Sequence, residues 1–161
     1  MAAPPRGNTG LGTYFITAAT FQKHSLFQSE RMADLFLNVL LQYRSQGKFL
    51  LHEFVIMPDH FHLLITPTLT LERALQLIKG GFAFRAKKDL GFGGEIWETS
   101  YYDRRVRNWE EYCAFQRYIQ LNPVKRGLVL VAGEYSYGSA GAGMLLDAAP
   151  QRLKPSGLVV V

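Results

Sequence analysis

The sequence predicts an α+β fold with an antiparallel sheet and a single core, and three observations carry that expectation. β-Branched and aromatic runs stand at residues 13–20, 49–57 and 60–66; apolar residues recur at helical spacing between and after them; and the chain has 161 residues, 48% of them hydrophobic. A chain of that length buries one core well and two poorly. Residues 1–12 are rich in Gly, Pro and Ala without any period, so they are expected to form a flexible N-terminus, with the first strand beginning at Thr13. Next, Met32, Leu35, Phe36, Val39, Leu40 and Tyr43 are spaced for one face of a helix, with Ser29 as its cap and Gly47 as its stop. Residues 49–57 and 60–66 form a hairpin about the turn Pro58-Asp59.

A second helix is expected from Thr70, with Glu72 in its first turn and Leu71, Leu75, Ile78 and Phe82 on its buried face; Gly80-Gly81 weakens it and predicts a bend. Gly91 to Gly94 form a connector, and residues 100–107 read as a further strand or extended segment. Asn108 caps a third helix, expected to end near Leu121 because Pro123 disfavours helical geometry at the residue before it. The order strand, helix, strand, strand, helix, strand is that of a ferredoxin-like sheet with packed helices. The folded domain is expected over residues 13–140, and residues 141–161 as a tail, mobile or docked.

The formal charge of +5 favours a polyanionic partner, nucleic acid before membrane surface. Cys113 is the one cysteine, so neither an intrachain disulfide nor a cysteine-based zinc site is possible. No apolar leader or long apolar run is present, so a soluble, cytoplasmic protein is expected.

Two constellations carry chemistry. In Asp59-His60-Phe61-His62 the histidines are one strand repeat apart and project from the same face, where both imidazoles can turn toward one cation. Phe61 faces the core, and the histidines are expected at the outward-facing start of the strand; two polar residues beside a turn is the ordinary alternative. In Arg117-Tyr118-Ile119-Gln120-Leu121-Asn122-Pro123 a phenol and a carboxamide lie four residues apart on one helix face. Here the ordinary alternative is a tyrosine packed on the sheet and an asparagine ending the helix. Glu53, on the neighbouring strand, is a candidate to orient an imidazole.

The motifs MPDHFHLLI, W-x-x-x-YYDRRVR and RYIQLNPVKRGLV, in this order over residues 12–140, resemble those of the REP-associated tyrosine transposases, in the single-tyrosine branch of the HUH (His, hydrophobic, His) transposases. The resemblance implies a ferredoxin-like domain acting as an endonuclease and strand-transferase in DNA transposition. His60, His62 and Asn122 would bind Mg2+ or Mn2+, and Tyr118 would attack a phosphate of single-stranded or hairpin DNA to give a 5′-phosphotyrosine. Related insertion-sequence enzymes carry glutamine four residues after the tyrosine, where this chain has Asn122; Gln120 is on another face. The family works as monomers or homodimers. Lys79, Arg85, Lys87, Lys88, Arg104, Arg105, Arg107, Lys125 and Arg126 are candidates to line a DNA groove, and Trp97, Tyr101 and Tyr102 to stack on bases. Tyr101 or Tyr102 is the lesser candidate nucleophile. The alternative function is a catalytically silent hairpin-binding regulator on the same fold. A ferredoxin-like RNA-binding domain would instead place aromatic pairs on its central strands. The tail is expected to regulate access to the active site.

Overall fold

The computed structural model describes residues 12–143 and 146–155. Four strands, β1 (Tyr14–Ala19), β2 (Phe49–Met57), β3 (His60–Pro67) and β4 (Tyr102–Arg105), form one sheet in the order β2-β3-β1-β4, each neighbouring pair antiparallel. With helices α1 (Glu30–Ser45) and α2 (Leu71–Leu90) between the strands, this is the expected ferredoxin-like arrangement. Residues 1–11, which hold nearly all of the stretch expected to be flexible, lie outside the described residues, as do 144, 145 and 156–161.

α1 begins where Ser29 Oγ accepts from the amide of Met32 and ends at Gly47, whose φ of +76° only glycine adopts without strain. Gly47 and Lys48 donate back to the carbonyls of Arg44 and Tyr43. α2 is capped by Thr70, stops at left-handed Gly91, and runs through Gly80-Gly81 as one helix. The second glycine answers to packing: a Cβ on Gly81 would stand 2.7 Å from Tyr43 Oη of α1, so its absence lets the helices approach. α1 and α2 cover one face of the sheet, joining Ile16, Phe61 and Leu63 to Phe36, Leu40, Ile78 and Phe82 in the larger core.

The third helix, α3 (Trp109–Lys125), covers the other face. Asn108 caps it, but it does not end at Leu121: it passes through Pro123. The proline sits in the last turn, and the chain turns off at Gly127 (φ +74°). There Gly127 donates to Val124 and Leu128 to Pro123. Pro123 is itself buried. Under α3, Phe15, Val55, Leu64, Tyr112 and Ile119 form a second, smaller core. β3 is therefore packed on both faces, and the histidines, expected to face outward, are buried.

After α3 the chain returns along β2: Gly138 bridges Val55, and Ser139 donates to the carboxylate of Glu53. Further on, Asp147 holds Arg44 through two hydrogen bonds of 2.9 and 3.0 Å and takes the amide of Leu51, and Leu153 is buried in the second core. Arg152 donates to Thr13 Oγ1. The tail was expected to control the active site; residues 146–155 instead dock at the end of the sheet marked by Thr13, Leu51 and Thr66, away from the hairpin turn that carries the histidines. No helix among the described residues is long and apolar enough to cross a membrane.

Candidate active site

Pairing of β1 with β3 sets Thr17 opposite His62 and Ala19 opposite His60, and alternation turns these side chains toward α3. Each imidazole is held by its Nδ1. His62 Nδ1 lies 2.8 Å from Thr17 Oγ1, and His60 Nδ1 lies 2.7 Å from Asp59 Oδ1. Where Nδ1–H is the donor, Nε2 is left with a lone pair for a ligand, and the rings lie 4.8 Å apart. Burial pushes the pKa of His62 down to about 3, helped by the neighbouring charges of His60 and Arg126 and opposed by the backbone of Ile16. Burial also holds His60 below the usual histidine range, against its bond to Asp59. Both rings are thus kept neutral, the form in which imidazole binds a cation.

α3 brings the second constellation over this pair. The ring of Tyr118 stands edge-on to His62 at 5.2 Å and to Phe15 at 5.7 Å, while Phe115, one turn earlier, stacks on Phe15 at 4.5 Å. These contacts fix the tyrosine above the sheet, yet 44% of it is exposed. Asn122, one turn on, is 3% exposed. Its Oδ1 and the Nε2 of His62 are both buried without a hydrogen-bond partner. Buried polar atoms without partners are costly, and each of these has room for a ligand to satisfy it. Among the described residues no three His, Cys, Asp or Glu side chains converge on a metal site.

A cavity of about 260 Å³ opens beside the pair, lined by Thr17, Ala19, Lys23, Asp59, His60, His62, Tyr118 and Arg126. A larger, mostly apolar groove of about 400 Å³ adjoins it along α3, between Ala114, Arg117, Tyr118, Leu121, Val124 and Lys125. Thr17, Asp59 and Lys23 were not among the residues anticipated. Asp59 was within reach of sequence reading, being next to His60, whereas Thr17 and Lys23 arrive only through strand register and a turn.

Glu53 does not support an imidazole. It lies opposite Leu64 and accepts from the amides of Gln116 and Gln120 of α3, both at 3.0 Å, as well as from Ser139. The nine basic residues do not gather on one surface. Lys79 donates to the carbonyl of Glu98 and lies over the Trp97 and Tyr101 rings, its pKa lowered by burial. Arg85 pairs with Asp89 and Asn38, and Lys87 and Lys88 close α2. Arg104 and Arg107 pair with Glu111, while Arg105 alternates to the other face of β4. Lys125 lines the groove and Arg126 the cavity. Of the candidate stacking residues, Trp97 is packed among Phe27, Phe36, Phe61 and Phe82, and Tyr102, opposite Thr17 and exposed, is on the histidine face.

A family model described as IS200-like transposase matches residues 10–122. A Haemophilus influenzae protein described only as uncharacterized is 29% identical, over 70% of this chain and 81% of its own length. Among solved structures, a REP-associated tyrosine transposase bound to a REP hairpin superposes with a TM-score of 0.73 at 21% identity, over 97% of this chain and 96% of that one. A Deinococcus radiodurans R1 protein described as a candidate transposase superposes at 0.51 with 27% identity, over 73% of this chain and 95% of its own.

Proposed function

This chain belongs to the IS200-like transposase family, and we propose that it is a metal-dependent endonuclease and strand-transferase that cleaves and rejoins single-stranded DNA at palindromic hairpins, with Tyr118 as nucleophile. The observation that carries the reading is two buried polar atoms without a partner, His62 Nε2 and Asn122 Oδ1, on residues that flank the partly exposed Tyr118. His60, His62 and Asn122 would hold Mg2+ or Mn2+, which when bound draws charge from the target phosphate and makes phosphorus more electrophilic.

The chain's own residues do the rest. In this reading Thr17 and Asp59 accept from both Nδ1–H groups, which leaves each Nε2 to a ligand. Phe15 and Phe115 fix the tyrosine helix so that the phenol projects from the sheet at the cavity. In the chemical step Tyr118 Oη bonds to phosphorus and its proton passes to solvent. The P–O3′ bond breaks, and the leaving 3′-oxygen takes up a proton as a hydroxyl, leaving a 5′-phosphotyrosine. Attack by a 3′-hydroxyl on that linkage runs the sequence backwards and rejoins the strand. The hairpin partner is inferred by analogy with the hairpin-bound relative of the same fold.

The test is a covalent adduct. The protein is incubated with labelled hairpin oligonucleotides from its host's palindromes, with Mn2+ or with chelator, and run on a denaturing gel. An adduct that needs metal and vanishes in Tyr118→Phe is the expected result. Tight binding without an adduct on any hairpin would instead support a catalytically silent hairpin-binding regulator.

A further inference from the structure

Between β1 and α1 the backbone does something costly. Gln22 (φ 52°) and Lys23 (φ 54°) both occupy the left-handed region, which L side chains rarely enter, and no glycine shares the burden. The turn is held from several sides. Thr20 Oγ1 donates to the carbonyl of His24, Lys23 N to Thr20 O, and Gln22 N to the Glu98 carboxylate. Thr20 N in turn donates to Asp59 O, which ties the turn to the β2–β3 hairpin. Strain that persists because its surroundings fix it is most often found where a side chain must be presented at a site.

The side chain presented is an ammonium. Lys23 lines the cavity with His60, His62, Tyr118 and Asp59, whose carboxylate is taken by His60, and Arg126, at the end of α3 just past Asn122, lines it too. Neither has a carboxylate partner among the described residues, whereas Arg44, Arg85, Arg104 and Arg107 all do. Two unpaired cations facing one small polar cavity make an anion site, and the second cation comes from an element that shares nothing with the first.

We propose that Lys23 is a catalytic residue of this site: with Arg126 it holds the non-bridging oxygens of the scissile phosphate in the cavity, and the left-handed turn exists to present it. The inference rests on the reading of Tyr118 as nucleophile. Charge builds on those oxygens as Tyr118 attacks, so a donor fixed there beforehand favours the transition state over the bound substrate.

Lys23→Gln is expected to slow single-turnover cleavage of a hairpin with single-stranded flanks by about 100-fold, the effect of losing one preorganised donor. Lys23→Arg is expected to restore most of the rate. Lys23→Gly separates chemistry from folding, because glycine relieves the left-handed strain: Tm should rise while the rate falls as in Lys23→Gln, whereas a purely structural lysine would move both together. A second measurement does not need cleavage. In the Tyr118→Phe background, the phosphates flanking the hairpin are replaced one at a time by neutral methylphosphonates and affinity is measured with Mn2+. One position should cost at least fivefold with Lys23 present and clearly less with Lys23→Gln. A scan that is the same in both proteins overturns the assignment. Absence of a Tyr118 adduct in the parent protein would count against the nuclease reading alone, since the scan still decides whether Lys23 touches a phosphate.

Discussion

Thr17 touches no substrate in the proposed mechanism, yet replacing it by valine should weaken the cation site. The substitution keeps shape and volume while removing Oγ1, the atom 2.8 Å from His62 Nδ1. In a buried imidazole this takes away the acceptor that keeps the proton on Nδ1 and the lone pair on Nε2. Loss of such a supporting partner ordinarily costs 10- to 100-fold in metal affinity, about 1.4 to 2.7 kcal/mol. The backbone of Ile16 also draws on this ring, so the effect belongs near the lower end, about tenfold. The fold loses something too, on the order of 1 kcal/mol for a weakened buried hydrogen bond. The assay is a Mn2+ titration followed by the electron spin resonance of the free ion, on Tyr118→Phe and on the same protein with Thr17→Val, each bound to a hairpin. An unchanged Mn2+ affinity, with stability lowered as expected, would refute the claim that Thr17 sets the tautomer of a ligand.

The two glycines of α2 should respond to alanine with opposite signs in urea unfolding. Gly81→Ala meets Tyr43 and should cost about 1–3 kcal/mol, while Gly80→Ala meets nothing within 4 Å and should gain up to about 1 kcal/mol from helix propensity. Acid should destabilise the metal-free protein. Burial holds His52, His60 and His62 below the ordinary 6.5, so between that value and their folded values the unfolded chain binds more protons. Their contribution is complete above about pH 6.5 and lost as pH falls toward 3; a Tm that is flat or rising on going from pH 7 to 5 would contradict this.

How much of this was legible in the sequence depends on the range over which each feature is determined. The four strands, the three helices and their caps at Ser29, Thr70 and Asn108 follow from local patterns, and the ferredoxin-like order follows from the elements. The readings that failed concern tertiary context. Gly80-Gly81 looked like a bend because sequence cannot show Tyr43 pressing on Gly81. Pro123 looked like a stop because its local preference is against helix, while the packing that buries it in the last turn of α3 is tertiary. The histidines looked outward-facing because alternation gives a side chain its face but not what covers that face, and here α3 covers it. Glu53, one strand away from the histidines, was placed beside an imidazole, though the register sets it opposite Leu64 and beneath Gln116 and Gln120. Thr17 and Lys23 needed the β1–β3 register and a left-handed turn, neither of which has a local signature.

That misplaced glutamate bears on how the site is assembled. The histidines belong to the sheet, and Tyr118 and Asn122 to a helix that follows the last strand, so the site exists only when α3 docks in one register. Apolar contact between Phe115 and Phe15 gives adhesion but little directional preference. The directional element is Glu53, buried in β2 and accepting from Gln116 and Gln120, which are one helical turn apart. A slide of α3 by one residue would break both bonds and leave a carboxylate buried with fewer partners. Glu53→Ala should therefore cost about 1–3 kcal/mol, because it leaves two half-buried carboxamides without their acceptor. Glu53→Leu, which refills the volume without a polar group, should recover part of that stability but not the registry. The two variants thus separate folding from alignment. If alignment is what Glu53 supplies, Glu53→Leu will be folded and slow in forming the Tyr118 adduct, and lower temperature will not restore it. If Glu53→Leu cleaves at the parental rate, packing alone sets the register and the carboxylate has no part in positioning Tyr118.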